Sequence, residues 1–498
     1  MMNRYFGRAL IVSTLAILLT AGVTRRQLQA AEAAEVRYLA FQVFTGAPDP
    51  TIPIGGSGVH PLGSMPAQPE LDAFVQDVIR RIGTVGEGQA QLAVIFGPLA
   101  FDHSDAEIGR LVETAFAIAR ERKIAVGFHI DDSMFWARRS DLWQSPENVE
   151  WLDWDGTPAT GRRIDWGPQP QKLPPQMCFN SKAIQREVRR RAAEVFGKAI
   201  NSGIDGLKRQ GKERLFAGVI AGWETHIGRD FDTGRTSGYH ALANRGFSES
   251  HPPRDMDGER EKIVQEFITL WTQGLADAGV PANKIYAHTA FLSKRIFEAN
   301  RPQTLSYSQA INFAPPSVAL GKSHRPGFST YPAPGLFEQI YEELARHGHP
   351  AWASSEGTNL QLGTGPGQSG MDMESYLARM FNHGATLVNI FSWGVGGEAN
   401  KNMDFRVVTE GEEALRAYRK FLRGEPLAEV ISPISSPFER LPAKIHRIQR
   451  DLPAWVQKTG DQAKADALQR RLQATLKGNN IMEAEKVADE ILKLLPAK

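Results

Sequence analysis

The chain of 498 residues has a single cysteine, Cys178, so no intramolecular disulfide can staple it. It also lacks an excess of either charge. The formal net charge is +2, and residues 1–33 hold four arginines (Arg4, Arg8, Arg25, Arg26) against one acid, Glu32, which leaves 54 basic and 55 acidic side chains in the remainder. A near-neutral chain offers no electrostatic footprint for nucleic acid or an acidic partner, and neither is expected. Beyond Val23 there is no apolar run long enough to cross a membrane. At 42% hydrophobic and 23% charged residues, a disordered or fibrous chain is excluded as well.

The N-terminus has the order of a secretory signal. Arg4 and Arg8 precede an apolar run from Ala9 to Val23, broken by Ser13, Thr14, Thr20 and Gly22, and Ala31-Glu32-Ala33 offers a cleavage site. Residues 1–33 are therefore expected to be removed, leaving a protein exported to a periplasm or the exterior, with no stable membrane insertion. The alternative is an uncleaved anchor, because Arg25-Arg26 sits before the cleavage site. An exported protein without disulfides fits a bacterial periplasm or exterior better than a small stapled secreted domain. Cys178 lies far from the leader, which excludes lipid attachment there.

After the leader, strand-like and helix-like segments alternate, the pattern of a parallel sheet with crossover helices. The strand candidates are Val36–Phe44, Ala90–Phe96, Ile124–His129, Leu215–Gly222, Lys284–His288, Gly327–Tyr331, Pro350–Ser355 and Ala385–Trp393. The sixth has the weakest signal. Between the first two, Leu71, Phe74, Val75, Val78 and Ile82 recur at helical spacing, and Ser104 with Glu107 makes a capping box for the next helix. Eight such units predict a (β/α)8 barrel over residues 34–430. From Ser432 the character changes. Ser432–Pro437 reads as a linker, and Leu441–Val456, Asp461–Leu476 and Ile481–Leu495 read as amphipathic helices, so residues 431–498 are expected to form a small helical module. Two connections are long. Residues 131–180 contain Trp136, Trp143, Trp151, Trp154 and Trp166, which either line a cleft or pack the loop down; residues 225–256 are rich in Gly, His, Arg and Asp.

Two glutamates stand where strands give way to loops. Glu224 follows the fourth strand and Glu356 ends the seventh. Strands four and seven lie across the axis of such a barrel, and their C-terminal ends form the face where its chemistry occurs. Two carboxyl groups over one pocket are the minimum equipment for cleaving a glycosidic bond. His129 with Asp131 and Asp132 ends strand three and His288 ends strand five; these side chains can bind sugar hydroxyls. A His-x-Asp-Asp cluster also has cation-binding residue types, but hard cations need more oxygen ligands than one strand end supplies, so no metal and no cofactor is expected. The run from Gly363 to Gly370 lacks the Gly-Lys-Ser/Thr ending of a phosphate loop and reads as a loop over the cleft.

The glutamate pair, with Trp151-Leu-Asp-Trp-Asp-Gly156 and Cys178-Phe-Asn-Ser181, resembles clan A retaining glycoside hydrolases, in particular the β-galactosidase-like barrels of family 42. The resemblance covers roughly Val36 to Gly424 in architecture and short islands in sequence. It implies a glycosidase acting on a β-linked oligosaccharide or polysaccharide, with Glu224 as general acid and base, holding its proton near neutrality, and Glu356 as ionised nucleophile. It further implies Trp393 as an aromatic platform beneath the sugar and Tyr331 as a hydrogen-bond donor to Glu356. Asn180 and Trp223 are placed on the substrate side; the family usually carries Asn where Trp223 stands. A family zinc cluster built on cysteines is excluded, since Cys178 is alone. An inverting hydrolase using the same glutamates, and a barrel that binds sugar without cleaving it, remain open. The oligomeric state is left unassigned.

Overall fold

The computed structural model describes residues 35–45, 62–161, 163–164, 171–230, 232–300, 304–357, 371–393, 410–429, 437–477 and 481–495. The expected leader, the glycine-rich loop 363–370, Trp166 and the linker 432–436 lie outside the described residues. Among the described residues no helix is long and apolar enough to cross a membrane.

Eight parallel strands form the barrel: β1 Arg37–Phe44, β2 Ala90–Leu99, β3 Ala125–Ile130, β4 Phe216–Ala221, β5 Ile285–Ala287, β6 Gly327–Ser329, β7 Trp352–Gly357 and β8 Ala385–Ile390. Their order in the sheet is β5-β4-β3-β2-β1-β8-β7-β6. The ends of this order meet through backbone hydrogen bonds from Ala287 N to Arg325 O (3.0 Å) and from Ser329 N to Thr289 O (2.8 Å), which close the ring. The sixth strand, whose sequence signal was faintest, is three residues long rather than five, and β8 stops at Ile390 rather than at Trp393.

The crossover helices include α1 Gln68–Ile82, α2 Asp105–Arg122, α3 at residues 182–208 with a π-helical stretch Arg191–Gly197, α4 Met256–Asp277, α5 Leu336–Arg346, α6 Met373–Phe381 and α7 Glu412–Leu422. Their apolar stripes pack on the outer faces of the strands. At the start of α2 the Ser104 hydroxyl accepts from Glu107 N, and the Glu107 carboxylate accepts from Ser104 N at 2.7 Å, the reciprocal box that the sequence specified. Three further helices, α8 Pro437–Thr459, α9 Gln462–Lys477 and α10 Ile481–Leu492, share a separate small core that includes Leu441, Leu452, Val487 and Ile491.

Side-chain alternation along the strands gives the barrel interior two characters. Its lower layers are apolar: Tyr38 and Ala40, Ala93 and Ile95, Ala125, Ile220, Tyr286, Ala353 and Leu387 form one cluster. Further along the same strands, inward positions hold Gln42, His129, His288, Ser355 and Asn389, all with no solvent exposure. The polar layer thus sits directly under the C-terminal mouth. Space at the β5–β6 closure is tight. A Cβ on Gly327 would fall 2.0 Å from Ala287 O and 2.2 Å from Ser355 Oγ. Gly327→Ala is expected to destabilise the protein by about 1–3 kcal/mol, the usual cost of overpacking. An unchanged urea midpoint would show that the seam does not need the glycine.

Candidate active site

The chain bends sharply as β4 ends. Gly222 has φ 112°, and a Cβ there would lie 2.4 Å from Thr225 Oγ1. Glu224 itself has φ 55°, a left-handed conformation uncommon for a residue with a side chain. Such strain persists where surrounding contacts over-determine it. Here Asp132 supplies them, because its carboxylate accepts from Trp223 N at 3.3 Å and from the Thr225 hydroxyl at 2.5 Å.

Glu356 is aimed by an irregularity in β7. Against β6, Phe328 pairs with Ser354 but Ser329 pairs with Glu356, so β7 carries one extra residue, Ser355, at this point. Bulges of this kind re-aim side chains next to active sites. Ser355 keeps the inward place that alternation gives it, donating to Ala287 O at 2.6 Å, and the irregularity lets its neighbour Glu356 reach the barrel mouth as well.

Strand β6 and its exit hold both glutamates. The Ser329 hydroxyl donates to Glu224 Oε1 at 3.0 Å, and Tyr331 Oη donates to Glu356 Oε1 at 2.6 Å. Residues two apart on an extended segment share a face, so Ser329 and Tyr331 set the two carboxyl groups over one space. Burial, and after it the negative charge of Glu224, raise Glu356 to about 8, with Tyr331 opposing the shift. Glu356 is the more enclosed of the two glutamates.

The remaining residues singled out in the sequence fall into three groups. Tyr331 touches Glu356 directly. His129 and His288 are wholly enclosed in the polar layer, with His129 Nε2 3.0 Å from His288 Nδ1 and His288 Nε2 2.8 Å from Ser329 Oγ. Burial lowers both imidazoles, His288 to about 3. Trp223 stacks on His129, ring centroids 4.1 Å apart, and is 4% exposed. Asp132 is likewise consumed in shaping the β4 exit, and Asp131 accepts from Met134 N and Phe135 N, so the His-x-Asp-Asp segment does not converge on one point.

Two placements are corrected. Trp393 is no platform: its indole points outward, donates to Asp77 on α1 at 2.9 Å and lies under the Arg81 guanidinium, because its strand has already ended. Asn180 does not face substrate either. It donates to Ala241 O at 2.7 Å and accepts from Asn244 Nδ2 at 3.1 Å, pinning the long connection down. The described tryptophans of that connection pack in the same way: Trp136 is buried, Trp151 stacks on His240 at 3.9 Å, and Trp143 donates to Ala137 O.

Between this connection and the β4 exit lies a small cleft whose wall includes Glu150, Leu173, Met177, Phe179, Trp223 and Glu224. Glu150 and Ser329 are the residues that sequence reasoning missed. Glu150 accepts from His240 N (2.7 Å), Trp151 N (3.0 Å) and Ala241 N (3.1 Å), and burial raises it to about 7. Ser329 was within reach, since it stands two residues before Tyr331 on the same candidate strand.

No family model matches the chain, and no curated protein matches it. Among solved structures it is similar to the catalytic domain of β-amylase from Paenibacillus polymyxa, at 10% identity over 78% of this chain and 98% of that one, with a TM-score of 0.45. It is similar to a β-galactosidase from the psychrophilic Marinomonas ef1, at 12% identity over 78% of this chain and 59% of that one, TM-score 0.38. A family 5 glycoside hydrolase from Prevotella bryantii B14 matches at 9% identity over 76% of this chain and 95% of that one, TM-score 0.36. At these identities and scores the likenesses assign no role to any residue here.

Proposed function

We propose that the protein is a glycoside hydrolase acting on a β-linked sugar, with Glu224 and Glu356 as its two catalytic carboxyl groups. The observation that carries this reading is the pairing of one hydrogen-bond donor from the β6 segment with each glutamate, at the C-terminal mouth of a (β/α)8 barrel. The mechanism is retaining. Glu356, at the end of β7, attacks the anomeric carbon; Glu224 first protonates the departing oxygen and then activates water. The positive charge that develops on the sugar ring in the transition state stabilises an ionised Glu356. Trp223 occupies the place where family 42 carries Asn, and it seals the floor of the site against His129.

A panel of nitrophenyl β-glycosides, with the anomer of the first product read by proton NMR, tests the reading. Release of the β-anomer supports retention; first release of the α-anomer replaces it with inversion. Oligosaccharide binding without turnover of any glycoside replaces it with a non-catalytic sugar-binding barrel.

Ser329 is a positioning residue in this scheme. Ser329→Ala removes a hydrogen bond to a charged group worth about 1.5–3 kcal/mol, so kcat/KM is expected to fall by ~10- to 100-fold. The loss should be greatest for substrates with poor leaving groups and small for nitrophenyl glycosides. Equal losses on both would mean that the hydroxyl does not act through Glu224.

Export completes the proposal. The mature chain is expected to begin near residue 34, and intact Met1 on protein recovered from periplasm or medium would contradict it.

A further inference from the structure

The polar layer beneath the glutamates holds an arrangement that the two-carboxylate chemistry does not use. Its hydrogen bonds leave more acceptors than donors around the two imidazoles. Asn389 Nδ2 donates to Ser355 O at 2.8 Å and to Gln42 Oε1 at 2.9 Å, which fixes the Gln42 amide with its oxygen inward. His129 Nδ1 lies 3.1 Å from that same oxygen and Nε2 lies 3.0 Å from Gly222 O, so a neutral ring, with one N–H, leaves one of its nitrogens facing an acceptor without a hydrogen between them. On the other ring, Ser329 donates to Glu224, so His288 Nε2 donates to Ser329 Oγ and Nδ1 is a lone pair. Glu224 N–H points at that Nδ1 from 3.4 Å, which agrees.

His129 Nε2 and His288 Nδ1 face each other at 3.0 Å, and Gly222 O lies 3.0 Å from His129 Nε2. Glu356 completes the group. Tyr331 holds its Oε1, whereas Oε2 is buried with no hydrogen-bond partner. One ligand atom from each of His129, His288 and Glu356 lies within 4.8 Å of the other two. Acceptors that face one another in an enclosed site are costly to bury, and a cation between them removes that cost.

We propose that His129 Nε2, His288 Nδ1 and Glu356 Oε2 form a binding site for a zinc-type divalent cation. Two imidazole nitrogens and one carboxylate oxygen are zinc ligands; calcium and magnesium take oxygen almost alone. The surroundings fit as well. Each imidazole has its second nitrogen hydrogen-bonded, to Gln42 and to Ser329, and the carboxylate has its second oxygen bonded to Tyr331, the outer contacts that orient metal ligands. The consequence for turnover rests on the glycosidase reading: a cation on Glu356 withholds the nucleophile, so zinc inhibits.

Calorimetric titration of the chelator-treated full-length chain with zinc chloride tests the site, with cobalt(II) absorption reporting nitrogen and oxygen ligation. One equivalent is expected to bind. His288→Asn and the isosteric Glu356→Gln should each weaken it at least about tenfold, and exposed His347→Asn should not. Zinc should also raise the thermal unfolding midpoint of the wild type and not of Glu356→Gln. Absence of saturable uptake, or equal affinity in all variants, overturns the site. Because the titration reads binding alone, zinc uptake by a protein that turns over no glycoside would overturn the functional reading and leave the site standing.

Discussion

Glu356→Gln is expected to abolish hydrolysis of every glycoside that the wild type cleaves. The amide has nearly the shape of the acid, so the pocket and the Tyr331 contact are kept, but it cannot attack the anomeric carbon and no covalent glycosyl-enzyme can form. The loss should be on the order of 10⁴-fold or more in kcat, the scale on which removal of a covalent nucleophile costs other hydrolases. It should be the same for good and poor leaving groups, because both chemical steps pass through Glu356. Steady-state rates on an aryl glycoside and on an oligosaccharide, measured side by side, check this. Retention of more than a few per cent of wild-type activity on either would remove Glu356 from the mechanism. Folding is a separate matter: burial disfavours a charged carboxylate at Glu356, so a neutral amide of the same shape should not lower thermal stability.

Glu224→Ala should separate the two steps. A glycoside with a poor leaving group needs a proton on the departing oxygen, and loss of general acid catalysis typically costs about 10²–10⁴-fold. A nitrophenyl leaving group needs none. Its first step should survive, and the glycosyl-enzyme should accumulate because nothing activates water. Azide, a nucleophile that requires no base, should then restore turnover and leave a β-glycosyl azide. The same addition should do nothing for Glu356→Gln in that configuration. Rescue of the Glu356 variant with a β-azide, and none of the Glu224 variant, would reverse the assignment.

The alternation of strands and helices was legible because each buried strand is a short apolar run and each helix carries its own stripe and caps. The barrel and the two strand-end glutamates followed from that alone, whereas Tyr331 entered through the family resemblance. Strand β6 was faint because three residues carry it, and Gly327 is there to fit against Ala287 rather than to display β propensity. Trp393 misled because an aromatic followed by glycine after an apolar run reads the same whether its ring turns inward or, as here, outward onto α1. Glu150 could not have been found. Its place in the cleft is fixed by N–H groups of His240 and Ala241, far along the chain, and no local pattern marks such a contact. The polar layer of Gln42, His129, His288 and Asn389 was legible only in part. Each residue lies an even number of positions beyond an inward apolar residue of its strand, but which strands bring them into contact is decided by closure of the ring.

The most direct test of the pairing is covalent trapping. The full-length chain is incubated with a panel of 2-deoxy-2-fluoro β-glycosides bearing dinitrophenyl leaving groups, which form the glycosyl-enzyme and then stall, and the product is read by intact mass and peptide mapping. The expected result is one fluorosugar per chain, on the peptide containing Glu356, absent from Glu356→Gln. An adduct on another residue, or none from a sugar that the protein demonstrably hydrolyses, would contradict the assignment of Glu356 as nucleophile.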